Sequence, residues 1–223
     1  MIEERIDNGT IPTKLYQPDG ASALLLLGHG RGGSKDVEPY VGLCRRYAEA
    51  TGLAVVCIDA IAHGERGSED PREQTRVTGA ADAAERMVAD WTTTVDALSS
   101  IGPAVAFAGF SMVMLFGAPT VAAMPSIKAA VFGVGGIPRG GPGFDNTALG
   151  DRLLGIARTL EHPQVLMMNM TEDELFDPVD SMRFFAAIPG RKKRMMFWEG
   201  GHHGLPAESI RQSVAFLQKY ATT

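Results

Sequence analysis

The segment Ala104 to Gly117, AVAFAGFSMVMLFG, decides the fold. Its apolar run from Val105 to Ala108 is too short for a buried helix and nearly continuous in apolar character, as a strand covered on both faces should be. The run ends in Gly109-Phe110-Ser111-Met112-Val113, after which Val113 to Ala123 continues at helical spacing. Ser111 is thereby placed at the tip of a strand-to-helix turn, the arrangement by which a weak nucleophile becomes reactive. So tight a turn needs a small residue two positions before the serine, and Gly109 is one. A small residue is also wanted two positions after it, where the outgoing helix packs on the strand. Val113 departs from that demand. Its β-branched side chain is expected to push the helix off the strand or move the backbone around Ser111, and near reacting atoms a shift of about 1 Å can cost on the order of 10²-fold in rate.

Outward from this segment the same alternation repeats. Ala23 to Leu27, Ala54 to Ile58, Ala129 to Phe132, Val165 to Met168 and Met195 to Trp198 are short and almost wholly apolar. Val37 to Ala50, Ala80 to Ser99, Pro178 to Ala187 and Pro206 to Tyr220 mix charge with apolar positions at helical spacing; in the last, Ile210, Val214 and Leu217 share one face. Strands alternating with helices predict an α/β fold with a mostly parallel central sheet and helices on both of its faces. The glycine-dense stretch Gly133 to Gly150 reads as a surface loop. Only 32 residues, 133–164, separate the strand ending at Phe132 from the one beginning at Val165, which leaves room for a minimal cap at most. With 223 residues and no repeat, a single domain spanning 1–223 is expected.

A hydrolytic serine needs a base, a group that orients the base, and donors for a developing oxyanion. His202 and His203 follow the strand-like RMMFWE in the loop Gly200-Gly201-His202-His203-Gly204, and the acidic cluster Glu172-Asp173-Glu174 follows VLMMNMT. Serine, acid, histidine is one of the chain orders in which this triad occurs.

These features together resemble the α/β-hydrolase family, and within it the small, lid-poor serine esterases and dienelactone-hydrolase-like proteins. The resemblance spans nearly the whole chain. Its carriers are Gly28-His29-Gly30-Arg31-Gly32-Gly33, Asp59 with His63-Gly64-Glu65-Arg66, the GFSMV turn, the TEDELFDP acid turn and the GGHHG loop, in that order. The resemblance implies that Asp173 is the triad acid, with Glu172 and Asp177 as surface carboxylates. It favours His202, directly after Gly201, over His203 as the base. It also implies an oxyanion hole formed by the backbone N–H groups of Met112 and Arg31. His29 is expected to be structural at that loop, His63 to order its own loop, and His162 to face solvent. No metal or organic cofactor is required.

Composition sets further bounds. A net charge of −5 and an isoelectric point near 5.5 offer no broad attraction for nucleic acid or anionic lipid. The one basic run, Arg191-Lys192-Lys193-Arg194, reads as a solvated loop. Cys44 and Cys57 form no CxxC or CxxH pair, so they are read as reduced structural thiols. The segment MIEERIDNGTIP carries charge where a signal peptide is apolar, and no stretch is apolar for the ~20 residues a membrane span needs. A cytoplasmic protein acting on a small-molecule ester is the expectation.

Two readings compete. Gly28, Gly30 and Gly33 spell G-x-G-x-x-G after a strand, with Asp59 ending the next one, as in dinucleotide-binding oxidoreductases. That reading leaves the serine, acid and histidine segments without a role. Alternatively, Val113 marks a catalytically impaired protein that keeps the hydrolase fold and binds a ligand.

Overall fold

The computed structural model describes residues 1–67, 70–79, 82–140 and 146–221, without the side chains of residues 71, 75, 78 and 113. Among the described residues eight strands form one sheet, in the spatial order β1 (Ile2–Ile6), β2 (Thr13–Gln17), β4 (Ala54–Ile58), β3 (Leu24–Gly28), β5 (Ala104–Phe110), β6 (Ala129–Gly133), β7 (Gln164–Met170) and β8 (Lys193–Trp198). β3, β4, β5, β6, β7 and β8 run parallel. Every residue of β3, β4, β5 and β6 is buried, which is why these segments show no polar alternation in sequence.

Helices cover both faces. α1 (Tyr40–Thr51) and α7 (Ala207–Ala221) lie on one side, where Cys44, Tyr47 and Leu217 pack with Leu25, Val55 and Val131. α3 (Ala83–Ala97), α4 (Val113–Ala123), α5 (Thr147–Ala157) and α6 (Pro178–Ala187) lie on the other, where Trp91, Phe116, Leu153 and Phe184 meet Phe107 and Phe132. Burying a side chain of this kind contributes roughly 1.5–3 kcal/mol, so the two layers fix the strand ends that carry the loops. Local signals set the boundaries. α1 stops at Gly52, whose φ of +71° lets its N–H reach the Ala48 carbonyl at 3.0 Å. α6 starts behind Asp177, whose carboxylate accepts the Val179 N–H at 2.8 Å, with Pro178 in its first turn.

The structure corrects the sequence reading in four places. β1 (Ile2–Ile6) and β2 (Thr13–Gln17) add an antiparallel edge to the sheet. A short polar helix, α2 (Pro71–Thr78), precedes α3. The glycine-dense stretch is not a surface loop throughout: residues 134–137 are buried and Thr147 opens α5, while residues 141–145 lie outside the described part. The basic run is only half a loop. Lys193 opens β8 and its ammonium donates to the carbonyls of Phe185, Ala186 and Ile188 at 2.8, 3.2 and 2.5 Å, satisfying the end of α6. Cys44 and Cys57 are free and buried. Among the described residues no helix is long and apolar enough to cross a membrane.

Candidate functional site

β3, β5 and β6 are neighbours, with Gly28 opposite Gly109 and Phe110 opposite Gly133. Their outgoing loops therefore lie side by side at the carboxyl ends of the strands, where open α/β sheets bind ligands. β7 and β8 pair next to them and bring the acid turn and the histidine loop together.

Ser111 caps this edge. Its φ is +59°, a left-handed conformation that costs a non-glycine residue about 1–3 kcal/mol and is held by its surroundings. Its N–H donates to the Gly133 carbonyl at 2.8 Å, and its carbonyl accepts the Met114 N–H at 3.0 Å. α4 begins at Val113; the helix displacement expected from that residue concerns a side chain outside the described part of the structure.

Ser111 Oγ lies 2.8 Å from His202 Nε2, and His202 Nδ1 lies 3.0 and 2.9 Å from the two oxygens of Asp173. An imidazole nitrogen facing a carboxylate carries the proton, which leaves Nε2 as the acceptor for the serine hydroxyl. Asp173 is fully buried, and its Oδ1 also accepts the N–H groups of Leu175 and Phe176 at 2.8 and 2.9 Å. The carboxylate is thus aimed by its own turn. The three side chains named from the sequence meet in space. His203 does not take the His202 position; it is exposed and stands edge-on to the His202 ring, with centroids 5.0 Å apart.

Two contributors were not visible in the sequence. The Glu174 carboxylate accepts the His202 backbone N–H at 2.9 Å, a bond that holds its pKa below the usual carboxylate range. The Phe176 ring stacks on His202 with centroids 5.6 Å apart and planes 22° from parallel. Together they fix the height and tilt of the imidazole. No sequence period reveals them, because both contacts join loops of different strands.

On the other side of Ser111, Met112 is buried and its N–H makes no hydrogen bond among the described residues. Arg31 is exposed on the loop after β3. His29 is buried, with Nδ1 2.9 Å from the Gly30 carbonyl oxygen and Nε2 accepting the Ala60 N–H at 3.0 Å; burial pushes its pKa down to about 4. Nδ1 braces the loop itself, and Nε2 ties it to the residues just beyond β4. His63 is likewise buried, with Nδ1 2.9 Å from the Ile61 carbonyl oxygen.

Asp59 offers nothing to a ribose. It is fully buried, and its oxygens accept the Lys35 N–H at 2.8 Å, the Lys35 ammonium at 3.1 Å and the Glu65 N–H at 2.9 Å. Lys35, itself buried, also pairs with Asp36 at 2.7 Å and with Glu65. The carboxylate that a dinucleotide reading requires is occupied by the protein itself.

An open cleft of about 280 Å³ runs from Ser111 and His202 along Tyr40, Leu43, Phe110, Val134, Leu205 and Ile210, with Arg31 and His203 also on its wall. Most of these lining side chains are apolar. Among the described residues no group of three or more His, Cys, Asp or Glu side chains is arranged to hold a metal ion.

No protein-family model matches the chain, and no curated protein matches its sequence. Solved structures do. A cold-adapted esterase from an Arctic intertidal metagenomic library shares 24% identity over 99% of this chain and 92% of its own, with a TM-score of 0.78. A protein from Thermus thermophilus shares 22% over 98% and 97%, with a TM-score of 0.75. An esterase from Pyrococcus furiosus shares 14% over 99% and 91%, with a TM-score of 0.73. At such identities the likeness speaks for the fold. The chain has the α/β-hydrolase fold.

Proposed function

We propose that this protein, an α/β-hydrolase by fold, is a serine hydrolase that cleaves a small or medium carboxylic ester through an acyl-enzyme. The observation that carries the reading is the linear set of contacts from Ser111 Oγ through His202 to the two oxygens of Asp173, on a serine held at φ +59°. The esterase activity of two structural neighbours supports it.

In this mechanism His202 Nε2 takes the Ser111 proton as Oγ bonds to the ester carbonyl carbon. The carbonyl π pair moves onto oxygen, which the N–H groups of Met112 and Arg31 hold. When that pair returns, the carbon–alkoxy bond breaks and the departing oxygen takes the proton from His202. Water then attacks the acyl carbon and gives a proton to the same nitrogen; collapse releases the acid and restores the Ser111 hydroxyl. Asp173 keeps the imidazole in the required tautomer and stabilises its charged form. The apolar cleft is suited to a hydrocarbon acyl or alkoxy group of modest length.

The test is labelling with a fluorophosphonate and location of the adduct by mass spectrometry, alongside turnover of p-nitrophenyl acetate and butyrate. The adduct is expected on Ser111, and Ser111→Ala is expected to abolish both labelling and turnover. Ester turnover retained by Ser111→Ala would overturn the reading.

A further inference from the structure

The glycines of the loop after β3 have a steric cause. The Gly33 N–H donates to the Gly30 carbonyl at 3.1 Å, closing the loop, and Gly32 takes a φ of +75°. What the loop closes around is the side chain of Tyr40, the first residue of α1. A Cβ at Gly30 would stand 2.8 Å from the Tyr40 hydroxyl, and a Cβ at Gly33 would collide with the Tyr40 ring. The spacing that imitates a nucleotide-binding fingerprint therefore accommodates an internal phenol.

The contact is also polar and directional. The Gly30 N–H donates to Tyr40 Oη at 2.7 Å. The Tyr40 ring sits edge-on to His29, centroids 5.8 Å apart, so its position is fixed from a second side. A Cβ on Gly30 would also be 3.4 Å from Ser111 Cβ, which places this peptide directly against the nucleophile. The Gly30 N–H, bonded to the Tyr40 oxygen, holds the 29–30 peptide, and the Gly30 carbonyl, bonded to the Gly33 N–H, holds the 30–31 peptide that carries the Arg31 N–H, so the two bonds together fix the backbone turn at Gly30.

We infer that Tyr40 is the positioning residue of the oxyanion loop: by accepting the Gly30 N–H it orients the Gly30–Arg31 backbone so that the Arg31 N–H faces the tetrahedral oxygen. The inference rests on the hydrolase reading above. It separates two roles on one loop, since the Gly30 N–H is spent on the tyrosine and the Arg31 N–H is directed by it. A donor that matters only once the oxygen carries charge acts on kcat and leaves substrate binding alone.

Tyr40→Phe keeps the ring that the loop encloses and removes only the oxygen. With p-nitrophenyl butyrate, and rates normalised to active sites counted by fluorophosphonate titration, kcat is expected to fall about 10- to 10²-fold with KM within about twofold, the scale for a misaligned donor. Affinity for an alkyl trifluoromethyl ketone, whose hemiketal oxygen occupies the oxyanion position, is expected to weaken by the same factor, while affinity for butyrate is unchanged. Active-site counting removes any contribution from unfolded protein. Unchanged kcat per active site, or a raised KM with kcat intact, would overturn the role of Tyr40 while leaving the hydrolase reading standing. Wild-type protein that neither takes the fluorophosphonate nor turns over the ester would overturn the hydrolase reading, and this inference with it.

Discussion

Asp59 and Asp173 occupy equivalent places and do opposite things. Each is a fully buried carboxylate just beyond the carboxyl end of a parallel strand, and each accepts backbone N–H groups from its own side of the site. Asp59 completes its set with the Lys35 ammonium, a permanent cation bonded to two further carboxylates. Asp173 completes its set with His202, a group that can gain and lose a proton and whose other nitrogen reaches Ser111. Burial of the charge is common to both. What each carboxylate faces decides whether it braces the loops or, in the proposed mechanism, orients the base.

The comparison is sharpened most by Asp173→Asn. The amide can hold the imidazole but in the wrong tautomer, so kcat for p-nitrophenyl butyrate is expected to fall on the order of 10⁴-fold. The urea midpoint is expected to move far less than in the next variant. Asp59→Asn should do the converse. It removes a charge from the buried Lys35, and breaking such a pair costs about 3–5 kcal/mol; the low end is expected because Asp36 and Glu65 still contact the ammonium. Urea denaturation should show this loss while kcat per titrated active site changes by less than about tenfold. A variant at Asp59 that kept its stability and lost turnover as Asp173→Asn does would break the comparison.

The smallest effect concerns pH. The native state keeps His29 neutral down to about pH 4, whereas the unfolded chain protonates it near 6.5. Its contribution is therefore full above about pH 6.5 and is lost as the pH falls toward 4. Linkage for one proton puts the loss at about 2 kcal/mol between pH 7 and pH 5. Unfolding free energies from urea titrations at the two pH values should differ by that much more in the wild type than in His29→Gln. Equal differences would show that His29 does not carry the acid sensitivity.

The sheet centre was legible because strands buried on both faces leave unbroken apolar runs, and Ala54 to Ile58 and Ala129 to Phe132 read that way directly. The edge was not. IEERI in β1 is exposed along nearly all its length, so it carries no burial pattern to read, and in β2, TKLYQ, the polar Thr13, Lys14 and Gln17 leave no apolar run. α5 was hidden by Gly150 and Gly155, which weaken a helical pattern, and by the glycines and prolines before it. In the site, Ser111 stood out by its strand-to-helix turn, and Asp173 and His202 were singled out from their neighbours by the family resemblance; the three side chains meet in the structure. Tyr40, Glu174 and Phe176 are ordinary residues whose parts arise from contacts between loops. Asp59 shows the complementary hazard, a local match whose meaning depends on Lys35, 24 positions away.

The cleft beside Ser111 opens to solvent, with exposed Arg31 and His203 on its wall. With no element among the described residues closing over it, an acyl group carried on Ser111 in the proposed mechanism would meet nucleophiles that diffuse in, water and alcohols alike. Added short alcohols should then divert the acyl group into new esters in proportion to their amount, and product partitioning would report on the shape of the cleft mouth as directly as any rate.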